Sequence, residues 1–588
     1  MEPRRPKHKQ APPLEVSQNE LERALKDPKT YVFPNADDEG LAFPNGQEDV
    51  DLLRVVHTHM SMVFMLPQRV YKVKKQVDFG FADFSTLYKR FQACFAEVQL
   101  NKRLAPDVYM GVVPISMKRE TREICVRCDD FWTPEKSSNL DWWLNDQFGE
   151  IVEWAVHMVR LPDDCTLLHR MDHQELTEDI LDQVAENLVA FHADARRGPE
   201  IDHFGKESVI RHNIDENFYQ TASHTGVTVS EPVYRRVNEL SYAWFKKLKH
   251  TFESRVENGY ICDTHGDLRL EHVYRLPRSS KDRKFVILDC IEFNEQFRFG
   301  DPLSDVAFLS MDIWRKGRPD LAHFLQQQCL LKAVQNSPEN ADLLAFYAAY
   351  RAVVRAKVCG FRVMDPTLSV ARRAEETQQA RCYWLVALEL LSPPAQRPCL
   401  ILVGGLPASG KSNLSKMLAE SDNTLVWLRS DAIRKELAEQ EATEEDGDSA
   451  KGDGGFQEGL YSPEMTCRTY DEVLKLCVKH LRKGDRVVVD ATFRDPVQRQ
   501  RFVTTARIEG ALFAFIMCEC DREITKGRML ARKNDISDAT WEVYEHMEKT
   551  WSYPERDTMA ECTVVNTEKE KELTLRRAQL FLRKVGLL

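Results

Sequence analysis

The residues of this chain whose types and spacing could handle phosphate fall into two groups, and the later group is the more compact. Gly405-Leu406-Pro407-Ala408-Ser409-Gly410-Lys411-Ser412 follows an apolar run at 399–403 and precedes a helical pattern carried by Leu414, Met417 and Leu418. Between a strand and a helix, Gly405 and Gly410 let backbone N–H groups close around phosphate oxygens, and the helix start adds the positive end of its dipole. Lys411 would reach the terminal phosphates and Ser412 would hold Mg²⁺. A second apolar run ends in Asp431, which from the carboxyl end of a strand accepts a proton from a substrate hydroxyl. Arg434, three residues on, steadies phosphate or substrate. The bland alternative for this pair is a capping aspartate beside a surface arginine. A third run, Arg486-Val487-Val488-Val489-Asp490, puts a carboxylate where Mg²⁺ is oriented through water, with residues 491–494 on the substrate side. Arg528 and Arg532, at i, i+4 spacing on one helix face, make an anion clamp or else a solvated face.

The earlier group centres on Asp263-Thr264-His265-Gly266-Asp267-Leu268-Arg269-Leu270-Glu271-His272, which looks like a kinase catalytic loop. Asp267 would take the acceptor hydroxyl proton, and a metal ligand is expected five residues later, at His272. Some 22 residues beyond Asp267, an apolar run ends in Asp289, where a Mg²⁺-binding aspartate belongs. Upstream, Arg69-Val70-Tyr71-Lys72-Val73-Lys74 alternates like a strand and Glu97 sits in a helical segment, which allows a lysine–glutamate pair on ATP phosphates. Lys72 and Lys74 point the same way, with Lys72 favoured and Lys74 read otherwise as a solvated edge lysine. His265 reads as a hydrogen-bonded structural histidine and Asp305 as a loop-anchoring carboxylate.

These residues need elements to position them, and 588 residues are too many for one core, so two to four domains are expected. Hydrophobic residues at 43 % and aromatics at 9 % exclude a disordered or collagenous polymer. Three prolines within residues 393–398 forbid a continuing helix and mark a linker. The boundaries read as a disordered tail at 1–30, a first domain at 31–392, the linker at 393–398 and a second domain at 399–588. A disordered acidic insertion at 439–455 interrupts the second domain. No repeat of about 20 to 50 residues appears. A net charge of −11 disfavours nonspecific nucleic-acid binding, and no apolar stretch of about 18 residues suggests a membrane span. Fifteen cysteines form no disulfide framework, and Cys125-x-x-Cys128 lacks a second pair, so reduced thiols in the cytoplasm are expected.

From about Pro398 to Val585 the chain resembles the P-loop kinases that include polynucleotide 5′-kinase, gluconate kinase and zeta-toxin relatives. The likeness rests on the Gly405–Ser412 loop, the Asp431/Arg434 pair, the Asp490 strand end and an Arg528/Arg532 lid. It implies Asp431 as base, Arg528 and Arg532 stabilising the transferring phosphoryl, and a three-layer α/β/α domain with a parallel sheet. The earlier residues, with Ala190-Phe191-His192-Ala193 and Gly300-Asp301-Pro302-x-x-Asp305, resemble the aminoglycoside phosphotransferase and choline kinase group, which implies a protein-kinase-like α+β fold. One departure is His272, where that group has asparagine. Mg²⁺ prefers oxygen, so either Glu271 reaches the metal or the domain binds without transferring. The order of modules resembles bacterial fusions of an aminoglycoside phosphotransferase-like domain with an ATP-binding domain. The implied function is ATP- and Mg²⁺-dependent phosphoryl transfer to a hydroxyl of a small molecule. A non-catalytic N-terminal module and a 5′-hydroxyl nucleic-acid end kinase are the alternatives, the latter disfavoured by the acidic insertion.

Overall fold

The computed structural model describes residues 14–32, 53–128, 149–276, 285–444, 462–531, 539–554, 561–568 and 570–588. They divide into two compact units, residues 1–205 with 256–305, and residues 206–255 with 306–588. Both are mixed α/β structures of different kinds. Among the described residues no helix is long and apolar enough to cross a membrane.

The first unit is built on a seven-stranded sheet. Its strands are β1 (Tyr31–Val32), β2 (Arg54–His57), β3 (Ser61–Met65), β4 (Arg69–Lys74), β5 (Tyr109–Met117), β6 (Ile124–Arg127) and β7 (Glu150–Val159), in the order β1-β6-β5-β7-β4-β3-β2. Only β1 and β6 pair in parallel; the other neighbours are antiparallel. Strand β4 lies between β3 and β7, so its side chains alternate between two covered faces. The helix Leu87–Asn101, started by Thr86 accepting from the Lys89 N–H, carries Glu97 on its buried face. Downstream, β8 (Cys262–Asp263) pairs with β11 (Phe299–Gly300), and β9 (Val273–Arg275) pairs with β10 (Phe285–Ile287). These short ladders frame the loop that holds Asp267 and Asp289.

The expected tail at 1–30 is corrected in part. Residues 18–25 form the helix Gln18–Leu25, capped by Ser17, and Leu21 and Leu25 pack into the core with Met62 and Phe64. The apolar residues at i, i+4 give this short helix one face to bury, which a solvated tail would lack. Residues 1–13 lie outside the described residues.

The second unit contains a five-stranded sheet: β12 (Cys399–Gly404), β13 (Leu425–Arg429), β14 (Arg486–Asp490), β15 (Leu512–Glu519) and β16 (Cys562–Asn566), in the order β13-β14-β12-β15-β16. Every pairing is parallel. β12 and β14 are buried along their whole length, as apolar strands covered on both faces must be. The helices Lys411–Ser421 and Lys571–Lys584 pack together, as do Pro463–Leu481 and Pro496–Glu509, which gives the expected three-layer arrangement. The helix Ser430–Glu444 runs through the first residues of the expected acidic insertion; residues 445–461 lie outside the described residues.

The proline-rich segment at 393–398 lies inside this second unit. The helix Val370–Leu391 is buried on all sides over its last turns and packs against the helix Pro496–Glu509. Its Glu389 accepts from the Leu512 N–H at the start of β15 (2.9 Å) and from the Trp314 indole N–H (2.9 Å). Arg486 donates to the carbonyls of Pro394 (3.3 Å) and Arg397 (2.9 Å), so the prolines cross a packed surface.

Burial pushes the Glu389 carboxyl up to about 8, against those two hydrogen bonds. The folded chain therefore holds a proton there that the unfolded chain releases near 4.5, and stability is lost as pH rises between the two values. Glu389→Gln removes that dependence. Its thermal midpoint relative to the parent should rise steadily between about pH 5 and about pH 8, followed by scanning calorimetry; parallel curves would show that Glu389 ionises without cost.

Candidate functional site

At the carboxyl end of β12 the chain turns through the glycine loop into the helix Lys411–Ser421. Gly405 sits at φ +146°, and a Cβ there would lie 2.6 Å from the Cys518 carbonyl oxygen, so only glycine fits. Ala408 (φ 60°) and Gly410 (φ 90°) are left-handed, which curls the loop over the helix start. Lys411 opens the helix and is buried. Register aligns Val403 of β12 with Asp490 of β14, and Asp490 with Arg429 of β13. Asp490 is therefore brought beside Lys411 and Ser412. Burial raises its carboxyl above the usual range, opposed by the Lys411 ammonium and a hydrogen bond from Ser412. Its Oδ1 is buried with no hydrogen-bond partner among the described residues. A buried carboxylate oxygen left open next to a serine hydroxyl suits a hard cation such as Mg²⁺.

The cleft over this helix start encloses about 550 Å³, with Lys411, Ser412, Trp427, Arg429, Arg528 and Thr567 among its lining residues. Asp431 lies in the first turn of the helix Ser430–Glu444, partly exposed, with Arg434 Nη1 donating to its Oδ1 at 3.2 Å. Its charge is close enough to add to the upward push on Asp490.

Arg528 does not stand free as a clamp. Its Nη2 donates to the Thr567 carbonyl (2.6 Å), and its Nη1 donates to the Thr567 hydroxyl (3.2 Å) and meets the Ala408 carbonyl (3.5 Å). Arg532 lies outside the described residues. Thr567, which sequence reasoning missed, is the hub: its hydroxyl donates to the Ser409 carbonyl (2.6 Å) and its N–H to the Glu519 carbonyl (2.9 Å). No local motif marks it, because its partner in the loop is 158 residues away.

The expected substrate wall at 491–494 is corrected at Ala491 and Phe493. Phe493 takes φ 48° and turns into the core against Phe502 and Phe515, held by the Tyr470 hydroxyl on its N–H (3.0 Å) and Arg499 on its carbonyl (2.7 Å). Ala491 is also buried, and Arg494 turns out to Thr550. Thr492 is held by the Tyr470 hydroxyl at 3.2 Å.

In the first unit Lys72 Nζ contacts Glu97 Oε1 and Asp289 Oδ1, each at 2.8 Å. Burial would depress the lysine, yet Asp289 and Glu97 hold it well above the usual range. Lys74 is no solvated edge residue: its side chain is 1 % exposed and pairs with Glu97 Oε2 (2.6 Å) and with Glu292. The structure thus separates the two lysines. Lys72 faces the acid at the metal position, and Lys74 balances two carboxylates behind it. Asp289 adopts φ 62°, a left-handed conformation in which its carboxylate meets Lys72. Burial pushes that carboxyl up, but the Lys72 ammonium outweighs it and holds it far below the usual range.

Asp305 anchors the catalytic-type loop by accepting the N–H groups of His265 (2.8 Å) and Gly266 (2.9 Å), with His192 Nε2 at 3.0 Å. His265 Nε2 donates to the Leu288 carbonyl (2.9 Å), a structural use. Asp267 is gripped by Arg269, whose Nε reaches both oxygens at 3.2 Å and whose Nη2 reaches Oδ2 at 3.0 Å. His272 as a metal ligand is corrected. Its Nδ1 donates to the Asp267 carbonyl (2.7 Å), which leaves Nε2 as the acceptor, and Arg269 Nη2 occupies that nitrogen at 3.1 Å. Neither ring nitrogen is open to a cation.

Residues 400–554 match the family model described as AAA domain. Over 495 residues the chain is 29 % identical to uncharacterized proteins of Mycobacterium tuberculosis and Mycobacterium bovis, covering 84 % of this chain and 89 % of each relative. Among solved structures, the GDP complex of wild-type aminoglycoside 2′-phosphotransferase-IIIa aligns at a TM-score of 0.34 and 13 % identity, over 58 % of this chain and 94 % of that one. An unliganded sugar kinase from Janibacter sp. HTCC2649 aligns at a TM-score of 0.24 and 16 % identity, over 32 % of this chain and 95 % of that one.

Two outcomes follow from this geometry. Thr567→Val should weaken nucleotide binding about fivefold, the scale of one hydrogen bond, whereas Thr567→Ser should bind like the parent in a fluorescent-nucleotide titration. Lys74→Met strands Glu292 in the interior and takes one of two lysines from Glu97, and should cost about 3–5 kcal/mol by urea denaturation, more than Lys72→Met at the better exposed position.

Proposed function

We propose that the protein is an ATP-dependent phosphotransferase whose chemistry resides in the second unit, moving the γ-phosphoryl of ATP to a hydroxyl of a small molecule. The observation that carries this reading is the juxtaposition of a glycine cradle, the buried Lys411 and the unsatisfied Oδ1 of Asp490 at one sheet end. Such a site binds a triphosphate through backbone N–H groups and one ammonium. Mg²⁺, when bound by Ser412 and the Asp490 carboxylate, neutralises phosphate charge. Asp431, partly exposed and steadied by Arg434, takes the acceptor proton as the bond to phosphorus forms. Arg528 holds the loop through Thr567 and keeps the cradle in shape. Most of the rate enhancement is then positioning and charge neutralisation, since the transferring group has little covalent chemistry to be helped with.

For the first unit, the bracketing of Asp267 by Arg269 and the engagement of both His272 nitrogens favour a ligand-binding module over a transferase. Its Lys72, Glu97 and Asp289 still form a charged cluster suited to a nucleotide phosphate.

The test is ATP consumption by the full chain against panels of alcohols, sugars, nucleosides and 5′-hydroxyl oligonucleotides. Asp431→Asn should reduce any acceptor-dependent turnover by about a hundredfold or more while leaving nucleotide binding intact. Asp267→Asn should leave that turnover unchanged. Loss with Asp267→Asn alone would move the chemistry to the first unit, and a hit only on oligonucleotide ends would replace the small-molecule acceptor.

A further inference from the structure

We infer that Arg429 is a further phosphate-contacting residue of the P-loop site, a cation fixed on the sheet that grips the terminal phosphoryl group of a bound triphosphate. This rests on the P-loop reading above and deepens it, because the two described motif arginines, Arg528 and Arg434, are engaged within the protein. Arg528 has its guanidinium committed to Thr567 and the loop carbonyls, and Arg434 donates to Asp431. Arg429 is differently placed. It ends β13 in register with Asp490 on β14, so the parallel ladder, not a lid, sets its position. Its side chain shares a face with Trp427, two residues earlier, and lies over that indole at 4.9 Å from the ring centre. Both line the cleft with Lys411 and Ser412.

The guanidinium is charged but poorly matched. Its Nε is buried with no hydrogen-bond partner among the described residues, and it lies 3.8 Å from Asp490 Oδ2, an ion-pair distance too long for a hydrogen bond. Asp490 Oδ1 is likewise unmatched. A partly buried guanidinium normally takes up a planar fork of acceptors, and phosphate oxygens supply one. Stacking on Trp427 keeps the fork from collapsing onto the carboxylate. The arrangement therefore holds a guanidinium with an unmatched Nε–H donor beside the cradle, available to an oxyanion group that is not part of the protein.

The competing explanation is that Arg429 merely balances the buried charge of Asp490. The two differ in what they predict for nucleotides of different length. A γ-phosphate contact distinguishes triphosphate from diphosphate; a charge-balancing role affects both equally. Isothermal titration of the full-length parent and of Arg429→Gln with Mg²⁺–ADP and with the β,γ-imido analogue of Mg²⁺–ATP reads this directly. The expected result is a loss of about tenfold or more in affinity for the triphosphate analogue with ADP affinity held within about twofold, a scale of one charged hydrogen-bonded contact. Arg429→Lys, which keeps the charge and loses the fork, should recover only part of the difference, and it provides the same ratio if the glutamine variant folds poorly. Equal losses for both nucleotides, or no loss for either, would overturn the assignment. A parent protein that binds neither nucleotide would overturn the P-loop reading itself, a result distinguishable from the others because it needs no variant.

Discussion

The register of the parallel sheet in the second unit is the constraint on which the site depends. Val403, Asp490 and Arg429 lie level with one another at the carboxyl ends of three adjacent strands, and the glycine loop follows the first of these strands. Strand order reverses around β12, so the chain departs from this point in both directions and leaves a crevice at the carboxyl ends. One residue of slip in β14 would turn Asp490 to the opposite face and put a valine beside Ser412. The apolar runs that make β12 and β14 do more than fill a core. By being buried on both faces they fix the register that brings a carboxylate, an ammonium and a hydroxyl within reach of one another.

The first unit organises charge by a different route. Five ionisable side chains, Lys72, Lys74, Glu97, Asp289 and Glu292, crowd together, and taking charges out of water is expensive unless they are paired. The period of two in β4 places both lysines on one face, and Glu97 offers one oxygen to each. That sharing makes the cluster rigid, since moving one lysine leaves the carboxylate half satisfied. The rigidity suits phosphate recognition, where preorganised charge spares the cost of reorganising water.

Much of this was legible in local sequence. The loop from Gly405 to Ser412, Asp490 at a strand end and Asp289 after an apolar run are each defined within a few residues, so pattern alone locates them. What escaped depends on partners far apart in the chain. Thr567 meets Ser409 across 158 residues. Lys74 reads as an edge lysine only while β7 is unknown, since β7, which makes β4 an internal strand, comes much later in the chain. His272 reads as a metal position from its spacing to Asp267, whereas the orientation of its ring is set by Arg269, whose side-chain direction no spacing encodes. Phe493 followed Asp490 closely enough to read as part of the substrate wall, yet its large apolar ring found more to bury against in Phe502 and Phe515 than in an open cleft.

The hydrogen bond from Leu512 to Glu389 has a meaning for how the polypeptide is divided. The first amide of β15 finds its acceptor on a helix made 123 residues earlier, upstream of the prolines that look like a hinge. A fragment begun after those prolines would leave that amide facing solvent and strip an apolar helix from the wall it completes. The half that carries the glycine loop is therefore not a cassette that can be cut at its motif boundary. Its inheritance as a working piece, whether by gene fusion or by laboratory dissection, has to carry the preceding helix along.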